Sequence, residues 1–202
     1  MNTLRRLERN ALQIVYKEHI REDFPRGERR PLFAMEKMQK AGRYDCYGYY
    51  REDDLIAYAC YILAQNGSYA LLDYFAVAPD LRGQGIGSEF LRILKGNVSA
   101  KCGVFIEAES PDSAKSEDKR KTRERRIRFY LANGAEMTSA KCLLFGVDYN
   151  ILFISTSAAA NTQKKECQLH AVEELYHELY GRAFGHLCKL YESDAGGIHD
   201  NK

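Results

Sequence analysis

Several common carriers of function are missing from this 202-residue chain. No apolar run approaches the ~18 residues that a membrane-spanning helix needs. The amphipathic N-terminus, "MNTLRRLERNALQIV", carries Glu8 and lacks both a continuous apolar stretch and a small-residue cleavage site, so it does not read as a secretory signal. Lys and Arg number 30 against 28 Asp and Glu, and a net charge of +2 is too balanced to advertise nucleic acid or an anionic membrane. The six cysteines, at 46, 60, 102, 142, 167 and 188, show no zinc-finger or redox-motif spacing. Set in apolar segments, they are expected to be reduced and buried, which fits a cytoplasmic location. His19, His170, His177, His186 and His199 form no metal-ligand or triad pattern, and no metal is expected. No internal repeat is visible. What is present is an ordinary globular composition, 45% hydrophobic and 29% charged, on a chain long enough to bury one real core.

Leu4, Leu7, Ala11, Ile14 and Val15 recur at helical spacing and predict an amphipathic helix over about 3–20. Pro25, Gly27 and Pro31 break the pattern, and a second helix is expected over 31–41, stopped by Gly42. From Tyr44 the period changes. "YDCYGYYRE", "DLIAYACYILA" and "SYALLDYFAV" are rich in tyrosine, aromatic and β-branched residues and are separated by "EDD" and "QNGS", so three antiparallel strands are expected. A helix marked by Ile86, Phe90, Leu91 and Leu94 ends at Gly96, and "CGVFIEAE" is a further strand. A long charged helix runs to Gly134, and "AEMTSAKCLLFGVDYNILFIST" supplies two more strands. Beyond the polar stretch "SAAANTQKK", Leu169, Val172, Leu175, Leu179, Phe184, Leu187 and Tyr191 outline a C-terminal helix. The expected fold is α/β with a mixed sheet, antiparallel N-terminal strands, a central β-α-β crossover and helices on both faces. Residues 1–156 form the main domain; 157–202 form a polar linker and C-terminal helix packed on it.

The stretch "LRGQGIGSEFL", residues 81–91, sets three glycines in five positions directly before a helix. It fails the dinucleotide fingerprint, because Ser88 stands where a third glycine is needed, and it lacks the Gly-Lys-Ser/Thr of a phosphate-binding P-loop. What remains is Arg82-x-x-Gly85-x-Gly87. Backbone N–H groups there can converge on an anion at the positive end of a helix dipole, with Arg82 or a neighbour complementing the charge. A plain tight turn between strand and helix is the alternative.

The context of that loop narrows the choice. "LLDYFAVAPDLRGQGIGSEFL" resembles motif A of the GNAT acetyltransferase superfamily, with its Gln/Arg-x-x-Gly-x-Gly/Ala pattern after a strand ending in an apolar-Val-x-Pro segment. "RRIRFYLANGAEM" is similar to the family's later helix, with a Phe-Tyr pair and the Asn-Gly that leads to the next strand. The resemblance covers residues 3 to about 155. It implies acetyl-CoA, or another acyl-CoA, as cosubstrate, lying between the strand that ends at Val77 and the one that contains Glu107. Backbone groups of Phe75, Ala76 and Val77 would bond its pantetheine arm as an added strand does. Amides of Arg82, Gly83, Gln84, Gly85, Ile86 and Gly87 would cradle its diphosphate. Pro79, which has no N–H, suits the end of strand pairing.

Forming an amide from an amine and a thioester requires a deprotonated amine, a stabilised oxyanion and a protonated leaving thiolate. The family transfers directly, so no nucleophilic cysteine is required and the cysteines read as core. Tyr130 sits where the family often carries the tyrosine that protonates the departing sulfur; its alternative role is packing beside Ile127. Glu107 matches a catalytic glutamate of some relatives, and Glu109 shares its strand face two residues on. Two such carboxylates would repel and raise one pKa toward a useful range, or they would bind a cationic substrate. Glu28, on the loop after the first helix, is a lesser candidate for the base. The run "KSEDKRKTRERRIR", 115–128, holds eight basic and three acidic residues. Its i,i+4 pairs Glu117–Lys121 and Glu124–Arg128 and its lack of interleaved aromatics favour a solvated helix face over a nucleic-acid patch.

These readings lead to an acetyl-CoA-dependent N-acetyltransferase acting on a primary amine, with no nucleic-acid or membrane partner. The acceptor is open among a small polyamine, an antibiotic, a peptide N-terminus and a lysine, and a homodimer is admissible. Two alternatives stand: a non-catalytic acyl-CoA-binding module, and a nucleic-acid-binding protein that uses the 115–128 helix.

Overall fold

A computed structural model describes residues 2–156, 165–181 and 184–192. The polar linker at 157–164, His199, and the side chains of Cys167 and Phe184 fall outside the described residues. The class is mixed α/β, as the sequence predicts. The chain divides into two compact units, one holding 2–104 with 155–156 and the other holding Phe105–Ile154 with the described residues from 165 onward.

In the first unit, β1 (Asn2–Arg6), β2 (Tyr44–Arg51), β3 (Asp54–Leu63) and β4 (Tyr69–Val77) pair antiparallel in chain order. Thr3 faces Tyr50, Cys46 faces Cys60, and Ala59 faces Phe75. The strand β1 corrects the expectation of a helix from residue 3. Its Leu4 and the Leu7 just beyond it fall at helical spacing, but the ladder to β2, the Arg6–Asp45 ion pair and the Arg5 guanidinium 4.5 Å above the Tyr50 ring hold the segment extended. Tertiary pairing overrides a weak local preference. Helix begins only at α1 (Arg9–Val15), continues through one π-helical turn at Tyr16–Ile20, and ends with α2 (Arg21–Asp23). Then come a 3₁₀ turn at Arg26–Glu28 and α3 (Leu32–Lys40). As expected, α3 stops at Gly42: the Gly42 amide donates to Gln39 and the Arg43 amide to Met38, closing the orphan carbonyls of the last turn.

The tyrosines of β2 to β4 are core residues. Tyr44, Tyr49, Tyr58, Tyr61 and Tyr74 are buried. Burial of a phenol requires a hydrogen-bond partner, and Tyr44 donates to Asp73 at 2.6 Å, Tyr47 to the Asn97 carbonyl at 2.7 Å and Tyr58 to Asp23 at 2.8 Å. Over this sheet lies α4 (Ile86–Lys95), burying Ile86, Phe90, Leu91 and Leu94. Phe90 stacks between Tyr49 and Phe75, with ring centroids at 5.3 and 5.6 Å. That stack fixes the start of α4 against the end of β4.

In the second unit, β5 (Gly103–Glu109), α5 (Glu117–Ala132), β6 (Ala135–Leu144) and β7 (Val147–Ser155) precede α6 (Lys165–Tyr180), the short α7 (Phe184–Leu187) and β8 (Cys188–Glu192). Strand order is β5-β7-β6-β8. The β6–β7 hairpin turns at Phe145 and Gly146, both with positive φ, the conformation a two-residue hairpin loop demands. The sequence extends the C-terminal helix to Tyr191; instead α6 gives way at Gly181 (φ +52), and Tyr191 lies on β8 opposite Lys141. Ala171, Val172, Leu175 and Tyr176 are the buried face of α6. Among the described residues the cysteines are free thiols, buried at 46, 60, 142 and 188 and half-buried at 102. The Cys142 and Cys188 sulfurs lie 3.0 Å apart.

Candidate active site

In the first unit, β4 ends at Val77, where Ala78 still donates to Ile56 at 3.0 Å. Pro79–Leu81 form a single 3₁₀ turn, Arg82 is extended, and Gly83 and Gly85 follow at φ +78 and +84. These left-handed positions are the reason for glycine there: an L-residue would be strained at both. Gly85 caps α4, and its carbonyl accepts the first intrahelical bond, from Glu89 at 3.0 Å. Among the described residues, the amides of Gly83 through Ser88 donate to no backbone or side-chain acceptor. Nothing lies within 4 Å of the points where a Cβ on Gly83 or Gly85 would sit. The result is a run of uncommitted N–H donors at a helix N-terminus with open space around it, the makings of an anion cradle.

Two loop side chains are used to hold the backbone itself. Arg82 Nε donates to the Val77 carbonyl at 2.9 Å, and Gln84 Nε2 donates to the Asp80 carbonyl at 2.9 Å. The Arg82 guanidinium also lies 3.6 Å from Asp23, whose other oxygen accepts from Tyr58. Phe75, Ala76 and Val77 stand on β4 opposite Ala59, Tyr58 and Ala57. Glu28 is exposed on the 3₁₀ turn, and its carbonyl accepts from the Tyr74 hydroxyl at 3.3 Å. That turn is tied down by Arg30, which makes paired bonds of 3.1 Å to Asp73, while the Arg30 amide donates to Tyr74 at 2.6 Å.

In the second unit, Glu107 and Glu109 share one face of β5, as alternation requires, with Ala108 buried between them. Each carboxylate has its own partner. Glu107 accepts from the Tyr176 hydroxyl of α6. Glu109 binds Arg123 at 2.6 Å through one oxygen and faces Arg126 at 3.7 Å through the other. Burial, and then the charge of Glu107, push the Tyr176 phenol well above its ordinary range. Tyr130, on α5, is buried, its ring 5.2 Å from Phe129. Burial raises its phenol to about 12, against a smaller lowering by Arg126. The charged run opens α5 at the Ser116 N-cap. Both anticipated pairs form, Glu117–Lys121 at 4.0 Å and Glu124–Arg128 at 3.8 Å, and Arg120 links Glu117 to Glu124. Among the described residues no cluster of His, Cys, Asp and Glu is placed to hold a metal, and no helix is long and apolar enough to cross a membrane.

Sequence reasoning missed Asp23, Arg30, Asp73, Arg123 and Tyr176. Each acts through a partner 14 to 69 residues away, and although Asp73 and Arg123 lie in stretches that drew notice, nothing local points to their partners.

A strand that ends in a turn with left-handed glycines and uncommitted amides, feeding an apolar-striped helix, presents a row of backbone donors whose chemistry suits an anion. Comparison gives the family. Residues 12–114 match the model of the acetyltransferase (GNAT) family, and the chain belongs to that family. Its fold is shared with an acetyltransferase assigned to the GNAT family from Bacteroides thetaiotaomicron, 19% identical, covering 91% of this chain and 98% of that one at a TM-score of 0.65. The ribosomal-protein-S18-alanine N-acetyltransferase of Escherichia coli is 20% identical, with coverage of 81% and 99% and a TM-score of 0.59. A spermidine N-acetyltransferase chimera from Vibrio cholerae and hSSAT is 13% identical, with coverage of 80% and 99% and a TM-score of 0.55. No curated protein matches the sequence.

Proposed function

We propose that this protein is an acetyl-CoA-dependent N-acetyltransferase that acylates a primary amine by direct attack. The observation that carries the reading is the Gly83–Ser88 run of uncommitted amides, set by left-handed Gly83 and Gly85 at the start of α4. Acetyl-CoA supplies an activated thioester carbonyl. In this reading the amides from Arg82 to Gly87 hold its diphosphate, and backbone groups of Phe75, Ala76 and Val77 hold its pantetheine arm. The left-handed backbone at Gly83 and Gly85 disfavours a side chain, and the space beside it is open.

Tyr130 is the proposed acid. Its phenol, near 12, is fully protonated at neutral pH. Desolvation that raises a phenol raises a forming thiolate in dry surroundings as well, so the two remain within reach of proton transfer. Glu107 is the proposed base, ahead of Glu109 and Glu28. Both Glu109 oxygens already face guanidinium groups, so an incoming ammonium would have to displace one of them. Two structural neighbours named above act on amines, an alanine of a ribosomal protein and spermidine, which supports an amine as acceptor without choosing between a peptide and a polyamine.

The test is an acetyl-CoA-dependent screen of polyamines, aminoglycosides, peptide N-termini and lysine side chains, with mass detection of an acetyl group gained by any product. Acetylated product supports the reading. Acetyl-CoA binding without product across the panel would point to an acyl-CoA-binding module.

A further inference from the structure

Arg82 is one of the side chains expected from the sequence to complement an anion at the loop, yet its guanidinium is turned elsewhere. Its Nε donates to the Val77 carbonyl at 2.9 Å, and its Nη2 lies 3.6 Å from Asp23 Oδ1. Asp23 is the last residue of α2, far from the loop in sequence, and its Oδ2 accepts from Tyr58 at 2.8 Å. Tyr58 is a core residue of β3, so the far oxygen of Asp23 is anchored to the sheet while the near oxygen faces Arg82. The residue after Arg82 begins the uncommitted amides.

We infer that Asp23 is a competing counterion for Arg82: its carboxylate holds the Arg82 guanidinium in the free protein, and a bound diphosphate takes that guanidinium over. The inference rests on the acyl-CoA reading above. Three observations make the exchange favourable. The Arg82–Asp23 separation is longer than a hydrogen bond, so little geometry is lost on parting. The two side chains are 58% and 20% exposed, and ion pairs this open are weak. A diphosphate offers a guanidinium paired charge-assisted hydrogen bonds, which a single carboxylate oxygen at 3.6 Å does not. Throughout the exchange the Tyr58 hydroxyl keeps Asp23 in place, and the bond to Val77 keeps the Arg82 side chain near the end of β4.

The consequence is a competition. In the free protein Asp23 occupies a cation that the cofactor needs, so neutralising Asp23 strengthens cofactor binding. Asp23→Asn is nearly isosteric and still offers Tyr58 an acceptor oxygen. The experiment titrates coenzyme A calorimetrically into the full chain, its Asp23→Asn and Arg82→Gln variants and the double variant, with phosphate-free pantetheine as the second probe and thermal melts confirming that each variant is folded. Asp23→Asn is expected to bind coenzyme A about twofold to fivefold more tightly, the worth of an exposed ion pair. The gain should vanish in the Arg82→Gln background, and pantetheine affinity should not change. An equal gain with and without Arg82 would reduce Asp23 to a distant repelling charge and overturn the inference. Unchanged or weaker binding by Asp23→Asn would overturn it too, as would an equal gain with pantetheine. Failure of the unaltered chain to bind coenzyme A would overturn the acyl-CoA reading itself, a result distinct from any of these.

Discussion

Replacing Gly85 with alanine separates cofactor binding from backbone strain. Gly85 sits at φ +84, and a methyl group added there meets nothing within 4 Å. In the free protein the substitution therefore costs only the left-handed conformation of an L-residue, about 1–2 kcal/mol. For a chain of this length each kcal/mol lowers Tm by roughly 2–4 °C, so a fall of about 2–8 °C is expected. Gly134, after α5, provides a matched control: its φ is +86 and its Cβ position is equally open. Gly134→Ala should lose the same stability and leave cofactor affinity untouched. Gly85→Ala should weaken coenzyme A binding at least about tenfold, or ~1.4 kcal/mol, because its methyl enters the space assigned to the diphosphate. Calorimetric titration beside thermal melts measures both quantities. Equal affinity in the two variants would refute the assignment of the loop, whatever their stabilities.

The remaining predictions bear on the framework and on the chemistry. Asp73→Asn replaces the carboxylate that makes paired bonds to the half-buried Arg30 guanidinium and weakens the Tyr44 contact, so urea denaturation should show a loss of about 2–4 kcal/mol; a loss below ~0.5 kcal/mol would mean that the Arg30 turn is held by other contacts. Hydrogen bonds from Gln13 and then Arg9 hold the Glu36 carboxyl below its ordinary value, so their stabilisation is present at neutral pH and lost as pH falls through that lowered value. The stability difference between the unaltered protein and Glu36→Gln should accordingly close as pH falls through the ordinary carboxylate range and then below it, and a difference independent of pH would contradict the ionic origin. Tyr130→Phe should lower kcat by roughly 10²–10⁴ with little change in acetyl-CoA affinity, while unaltered single-turnover chemistry would demote Tyr130 to a packing residue.

The parts of the fold legible in the sequence are those whose cause is local. Strands β2 to β4 announce themselves by aromatic and β-branched composition between turn residues, and the stop of α3 at Gly42 follows from a single left-handed residue. The i,i+4 pairs of α5 are likewise a matter of spacing. By contrast, β1 and β8 are short strands whose extended form depends on partners distant in the chain, β2 for one and β6 for the other. Taken alone, Leu4 with Leu7 and Leu187 with Tyr191 satisfy helical spacing equally well. A period of three or four residues cannot distinguish a helix from a strand that a neighbour has captured.

The candidate site divides along the same line. The glycine loop is contiguous, and its proposed role rests on backbone donors, so the features that suggest an anion cradle can be read from the order of its residues. The carboxylates are a different matter. Alternation correctly puts Glu107 and Glu109 on one face, but their chemistry depends on what α5 and α6 place beside them. Mutual repulsion is the effect expected from spacing alone; two guanidinium groups around Glu109 and a buried phenol on Glu107 mean that each carboxylate faces its own donor first. The choice of base therefore turns on which donor yields. Parting Glu107 from Tyr176 breaks a hydrogen bond to a neutral hydroxyl, whereas releasing Glu109 would strip a countercharge from Arg123, whose side chain is only 13% exposed. That asymmetry is the reason for proposing Glu107 ahead of its neighbour two residues on, and it is set by helices that no reading of the strand could supply.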